Sequence, residues 1–211
     1  ATAPAPGAGT APVLHILYGS QTGNAESVAE DAAAAARTQG FAPTVRALDD
    51  VPADEFTSLR RVLIVTSTYG EGEMPDNAEL FWDALSAPTA ERLEGMDFAV
   101  LALGDTGYDG FCQAGKLIDT RLEQLGAQRI VPRVDCDVDY EELAATWIAE
   151  TLPLVAAVEG LQGDAAAAPA APARAKSQWN RKNPFPATVT ANRVLSGAGS
   201  GKEIRHYEFD L

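Results

Sequence analysis

Between residues 13 and 155, short apolar runs alternate with segments whose apolar residues recur at helical spacing. VLHILYG (13–19) ends in glycine and predicts a strand. The Ala-rich stretch 24–38 predicts a helix, with Gly40 placed to close its C-terminus. PTVRALDD (43–50) predicts a weaker strand, and Pro43 together with the acidic end puts it at a sheet edge. RVLIVTST (61–68) and DFAVLALGD (97–105) are unbroken apolar runs, the mark of strands covered on both faces. A helix is expected over 76–86, with Leu80, Phe81 and Leu85 on one side and Asp76 as its cap. Another is expected over 112–125, carrying Leu117, Ile118, Leu122 and Leu125, and a last one over 140–155. RIVPRVDCD (129–137) predicts a fifth strand, with Pro132 inside it. Five strands separated by helices imply an α/β fold, a parallel sheet with helices on both faces. In such sheets ligands bind outside the carboxyl ends of the strands, where strand order reverses, so the loops after strands one, three and four are the place to look.

The pattern changes after Glu159. DAAAAPAAPARA (164–175) is low-complexity Ala/Pro and predicts a semi-extended linker. NPFPATVTANRVL (183–195), GAGSG (197–201) and KEIRHYEFDL (202–211) predict two strands joined by a Gly-rich turn. Two strands bury no useful core alone, so they are expected to open a further domain. The first twelve residues are also Ala/Pro-rich and carry neither the basic nor the apolar region of a signal peptide. The expected division is therefore a linker-like 1–12, a domain over 13–158, a linker over 159–182 and the start of a second domain over 183–211.

Composition narrows the possible partners. No apolar stretch approaches the roughly 20 residues of a membrane span. The net charge of −14 is unevenly spread: residues 12–159 carry 9 basic against 26 acidic groups, residues 160–211 carry 7 against 4. An acidic globular part argues against nucleic acid and suits a basic protein surface. The two cysteines, Cys112 and Cys136, form no CxxC, and with only two histidines no metal site is expected. They are read as reduced thiols of a cytoplasmic protein.

Three loops carry the chemistry. GSQTGNAES (19–27) joins a strand to a helix and contains no Lys or Arg. Ser20, Thr22 and Asn24 offer side-chain donors, Gly19 and Gly23 let backbone amides turn inward, and the helix adds free N–H groups. That is a phosphate cradle, although the same residue types also make plain turns. It lacks the Gly-Lys-Ser/Thr of a Walker A loop and the GxGxxG of a Rossmann fingerprint. STYGEGEMPDNA (67–78) offers Tyr69 at the sheet edge, with Gly70 and Gly72 permitting close approach to a flat ligand. LGDTGYDGFCQAG (103–115) offers Tyr108 in the same way, and the two rings suit offset stacking on a planar heteroaromatic group.

Together, GSQTGNAE, STYGEGEMPDNAE and LGDTGYDGFCQAGKLID resemble the FMN domain of diflavin reductases, over about residues 13–155. The third segment is most similar to the flavoprotein component of bacterial NADPH–sulfite reductases, VDCDVDYEELAATW (134–147) continues the likeness, and the tail resembles the start of that family's FAD-binding domain. The resemblance implies a flavodoxin-like three-layer fold with strand order 2-1-3-4-5. It implies that Ser20, Gln21, Thr22, Gly23 and Asn24 hold the FMN phosphate. Thr68, Tyr69, Gly70 and Gly72 would form one wall of the ring site. Leu103, Gly104, Asp105, Tyr108, Phe111 and Cys112 would form the other, with Asp135 near the flavin edge and no catalytic acid, base or nucleophile. It further implies that downstream domains carry FAD and the NADPH site, and that FMN delivers electrons singly to a hemoprotein or other metalloprotein acceptor. Tyr69 resembles the cytochrome-reductase branch, where sulfite reductase flavoproteins often have Gln, so a cytochrome reductase or a fused nitrate reductase stays open beside sulfite reductase. A free-standing flavodoxin carrier and a non-redox nucleotide-binding module are the remaining alternatives. A signalling receiver shares the doubly wound order, but Ser67 and Thr68 stand where its phospho-acceptor Asp would end the third strand.

Overall fold

Apolar side chains on both sides of the central strands decide the architecture. The structure is a computed structural model that describes residues 11–158, 186–197, 199 and 201–210. The chain divides into two units, Ala1–Ala171 and Pro172–Leu211. In the first, strands β1 (Val13–Gly19), β2 (Ala42–Ala47), β3 (Arg61–Ser67), β4 (Asp97–Leu103), β5 (Gln128–Arg129) and β6 (Val134–Cys136) alternate with helices α1 (Asn24–Thr38), α2 (Ala53–Ser58), α3 (Glu79–Ser86), α4 (Gln113–Gln124) and α5 (Glu141–Val158). The sheet is parallel, ordered β2-β1-β3-β4-β5, with β6 also pairing β4.

Alternation along β3 separates two cores. Leu63 and Val65 join Leu14, Ile16 and Leu101 under α1 and α5, while Val62 and Ile64 join Leu17, Phe98 and Val100 under α3 and α4. With both faces covered, no polar alternation is needed, which is why β3 and β4 read as unbroken apolar runs. Five alanines of α1, among them Ala25, Ala29 and Ala33, are fully buried and let that helix lie close to the sheet. Its C-terminus closes as expected: Gly40 has φ 86°, its N–H donates to the Arg37 carbonyl, and that of Phe41 donates to Ala36.

Several expectations are corrected. The edge strand stops at Ala47, and Leu48–Asp50 forms a single tight turn. The short α2 was not expected: its six residues are too few for a visible helical period. The fifth strand is split. Gln128 and Arg129 pair with Asp97 and Phe98, Ile130 donates its N–H to the Phe98 carbonyl, and Val134–Cys136 pair with Leu101–Leu103, while residues 131–133 leave the ladder. Pro132 in that gap has no N–H to donate. Leu80 does not face inward with Phe81 and Leu85; it is 71% exposed. Asp76 does not cap α3, because its carboxylate accepts a hydrogen bond from Gln21; Asp49 instead accepts the N–H of Phe81, at 2.8 Å.

The second unit contains the expected antiparallel pair, β7 (Thr188–Val194) and β8 (Arg205–Asp210), with a register shift between Val189 and Ala191. Tyr207 and Phe209 stack at 6.2 Å, and both are exposed. The 164–175 linker lies outside the described residues, as do residues 1–10.

Candidate functional site

Register brings the three loops together. Gly19 pairs with Thr66, Ser67 with Leu103, and Leu103 with Cys136, so the carboxyl ends of β1, β3, β4 and β6 finish nearly level. Close approach there depends on Gly19: a Cβ on it would lie 2.7 Å from the Thr66 hydroxyl.

The first loop is shaped from within by Ser20. Its hydroxyl oxygen accepts the N–H groups of Gly23 (2.9 Å) and Ala25 (3.3 Å), which bends residues 20–25 around it. Gly23 then begins α1 with φ 86° and offers no side chain as a cap. The backbone N–H groups of Gln21, Thr22 and Asn24 take no partner among the described residues, and their side chains are exposed. The loop is held to its neighbour by the N–H of Ser20, which donates to Asn77 at 2.8 Å. A reciprocal pair joins Gln21 and Asp76 at 2.8 and 3.1 Å. Free backbone donors at the positive end of a 15-residue helix, with no cation, form a site for an anion of phosphate size.

The second loop doubles back. Tyr69 and Glu73 exchange backbone hydrogen bonds at 2.8 and 3.0 Å, and Gly70 (φ 54°) and Gly72 (φ 142°) make the turn between them. Thr68 donates its N–H to the Leu103 carbonyl, and its hydroxyl accepts the N–H of Ala114, tying this loop to α4. The third loop packs on the second through Gly110, where any Cβ would collide with the Glu71 carbonyl. Asp105 accepts the N–H of Gly107 at 2.7 Å, and Asp137 accepts both the N–H (3.0 Å) and hydroxyl (2.7 Å) of Thr106. Tyr69 and Tyr108 are 52% and 49% exposed, so each ring stands out from the loops with a large free face. Phe111 is half-buried, its carbonyl accepts Lys116 Nζ, and the ammonium lies 5.3 Å from its ring centre.

Two expected wall residues stand behind the surface. Leu103 and Cys112 are buried; the Cys112 thiol lies 3.4 Å from the Ala102 carbonyl and 3.5 Å from that of Cys136. Burial, reinforced by Asp135, pushes this thiol up to about 12, so it remains protonated. Its backbone, with φ 55°, turns the third loop into α4. Asp135 is paired with Arg133 at 2.7 Å within β6, and the carboxylate reaching into the third loop is that of Asp137. Sequence reasoning missed Asn77, Gly110 and Asp137. Asn77 and Asp137 act across 57 and 31 residues, a separation at which no local pattern operates.

A family model described as Flavodoxin matches residues 16–147. The sulfite reductase (NADPH) flavoprotein alpha-component of Bacillus subtilis (strain 168) is 46% identical over 211 residues, covering 100% of this chain and 34% of that protein. The protein of the same description from Vibrio parahaemolyticus is 40% identical over 201 residues, covering 94% of this chain and 32% of its own length. The chain thus spans about a third of the length of these curated relatives. Among solved structures, a Streptococcus pneumonia TIGR4 flavodoxin superposes with a TM-score of 0.62 at 30% identity, covering 69% of this chain and 99% of that one.

Proposed function

The chain belongs to the flavodoxin family, whose domain binds FMN, and from that premise we propose that it is the electron-transfer module of an NADPH-dependent sulfite reductase flavoprotein. The observation that carries this reading is the joint edge: a cation-free cradle of backbone donors beside two loops that each present a half-exposed tyrosine. These residues fit FMN in both its parts, since the donors suit a phosphate and the rings suit a flat heterocycle.

Ser20 through Asn24 hold the phosphate: the Ser20 hydroxyl fixes the loop, and the free N–H groups with Thr22 and Asn24 face the anion. Thr68, Tyr69, Gly70 and Gly72 form one wall; Gly104, Asp105, Tyr108 and Phe111 form the other. Leu103 and Cys112 support that second wall from behind, and Asp135, held by Arg133, would lie near the flavin edge. When bound, FMN supplies the ability to take up an electron pair and release it one electron at a time. The protein holds, orients and shields, and no side chain here acts as acid, base or nucleophile.

The relatives' description as NADPH sulfite reductase flavoproteins supports the wider assignment. The domain would receive electrons from an FAD- and NADPH-binding part of the same polypeptide and pass them to the reductase hemoprotein. Residues 13–158 would be the FMN domain, 159–182 a tether that lets it swing, and 183–211 the first strands of the FAD domain. Two free, buried thiols suit the cytoplasm, and among the described residues no helix is long and apolar enough to cross a membrane.

The deciding experiment is a visible spectrum of the chain mixed with FMN or, separately, FAD and then desalted. Retained FMN with FAD lost is expected. A folded chain that keeps neither flavin would overturn the assignment of the cradle.

A further inference from the structure

A second concave surface lies away from the three loops and shares no residue with them. It is a groove of about 540 Å³ between α2, α3 and the segment leading to β4. Phe56 and Phe81, edge to face at 4.9 Å, line it together with Val51, Leu85 and Leu93. Leu80 stands over it, 71% exposed on a helix that buries only Phe81 and Leu85. The charged residues that line it are all acidic, Asp49, Asp54 and Glu91, and the guanidinium beside it, that of Arg121, donates to the carbonyls of Leu85 and Ala87. Asp54 and Glu91 form no ion pair among the described residues, whereas the neighbouring Glu55 is paired with Arg46. The flavin role uses none of these groups.

From this combination we infer that the groove docks a cationic amphipathic helix of a partner protein. Its apolar residues at helical spacing would cover Leu80 above the buried floor of Phe56, Phe81 and Leu93, and its Lys or Arg residues would meet Asp54 and Glu91. The volume matches a few large side chains, the scale at which interface anchors act. Unpaired carboxylates around an apolar floor favour a basic partner and disfavour both an acidic peptide and an anionic lipid surface. Because the groove lies apart from the cofactor loops, a partner held there leaves both tyrosines uncovered, so the domain can be tethered while its electron-exchanging edge stays free.

The test uses the whole chain, ¹⁵N-labelled, titrated with an amidated peptide of about fifteen residues made only of leucine at helical spacing and lysine elsewhere. Shifts concentrated at α2, α3 and Leu93, with Gly23, Gly72 and Gly104 unmoved, are expected. Leu80→Asp, an exposed substitution that leaves the core intact, should weaken binding about tenfold or more. Asp54→Lys with Glu91→Lys should weaken it similarly and flatten its dependence on salt. Equal binding of a peptide with glutamate in place of lysine, or no response to Leu80→Asp, would overturn the inference. So would shifts spread over the whole acidic surface. FMN retention is measured on separate samples, so the groove and the cofactor assignment stand or fall independently.

Discussion

At Gly110 the absence of a single carbon lets two loops meet. A Cβ there would run into the Glu71 carbonyl, so Gly110→Ala must push the Tyr69 loop from the Tyr108 loop. The expected outcome is FMN affinity weakened about tenfold or more, a loss of roughly 1.4 kcal/mol or above, measured by fluorescence titration. Cys112 illustrates a different residue-scale constraint. Its thiol pKa is raised above the unfolded value, to about 12, so the folded state keeps its proton longer than the unfolded chain does. The associated stability is complete below the ordinary thiol pKa and is lost as pH climbs toward 12. Urea midpoints followed from pH 8 to 11 should therefore fall more steeply for the wild type than for Cys112→Ala. Parallel slopes would remove Cys112 as a source of the alkaline loss. The position of Cys112 in the motif is legible in the sequence, but its burial is not, because a cysteine beside a glycine-rich loop reads equally as lining or as core.

Among the elements, the fifth strand shows how a local interruption is compensated by distant charges. Where Val131 to Arg133 leave the ladder, Asp119 of α4, only 4% exposed, receives Arg129 at 2.8 Å and Arg133 at 2.8 Å. Arg133 also holds Asp135, and the adjacent Cys136 carbonyl accepts the N–H of Gly104 at 2.9 Å. The network thus connects α4 to the base of the third loop. Removing its buried centre leaves Arg129 with only Glu123 and Arg133 with only Asp135, and Asp119→Ala should cost about 2 kcal/mol in chemical denaturation. Asp119→Asn, which retains hydrogen-bonding capacity, should cost less. Helix periodicity identifies α4 and α5, and unbroken apolar runs identify β3 and β4. The six-residue α2 and the split strand escape such reading, since one is shorter than two helical turns and the other depends on a partner at Asp119.

For the whole molecule, charge is the governing quantity. The first unit carries a large excess of carboxylates, and Glu71, Glu73, Asp105 and Asp109 sit on or beside the tyrosine loops. Negative groups there disfavour adding electrons to a nearby cofactor and attract a basic acceptor. Converting Glu71 and Asp109 to Gln and Asn should raise the FMN midpoint potential and slow acceptor reduction at low salt, with the difference shrinking as salt screens the field. Potentiometry and stopped-flow at two ionic strengths measure both effects. Acceptor reduction insensitive to salt would remove the steering role.

By itself, the sequence determined the α/β class, the apolar strands, the Ala-rich first helix and the three loops that gather at one edge. These depend on spacing within windows of a few residues, where apolar periodicity and glycine conformational freedom act directly. Only the tertiary structure decided which side chains face the edge and which support it. It placed Asn77 on Ser20 and Asp137 on Thr106, turned Asp135 toward Arg133, buried Cys112, and left Leu80 exposed above the α2–α3 groove. Each of those outcomes is set by register and packing between segments tens of residues apart, and such contacts leave no periodic trace in the chain.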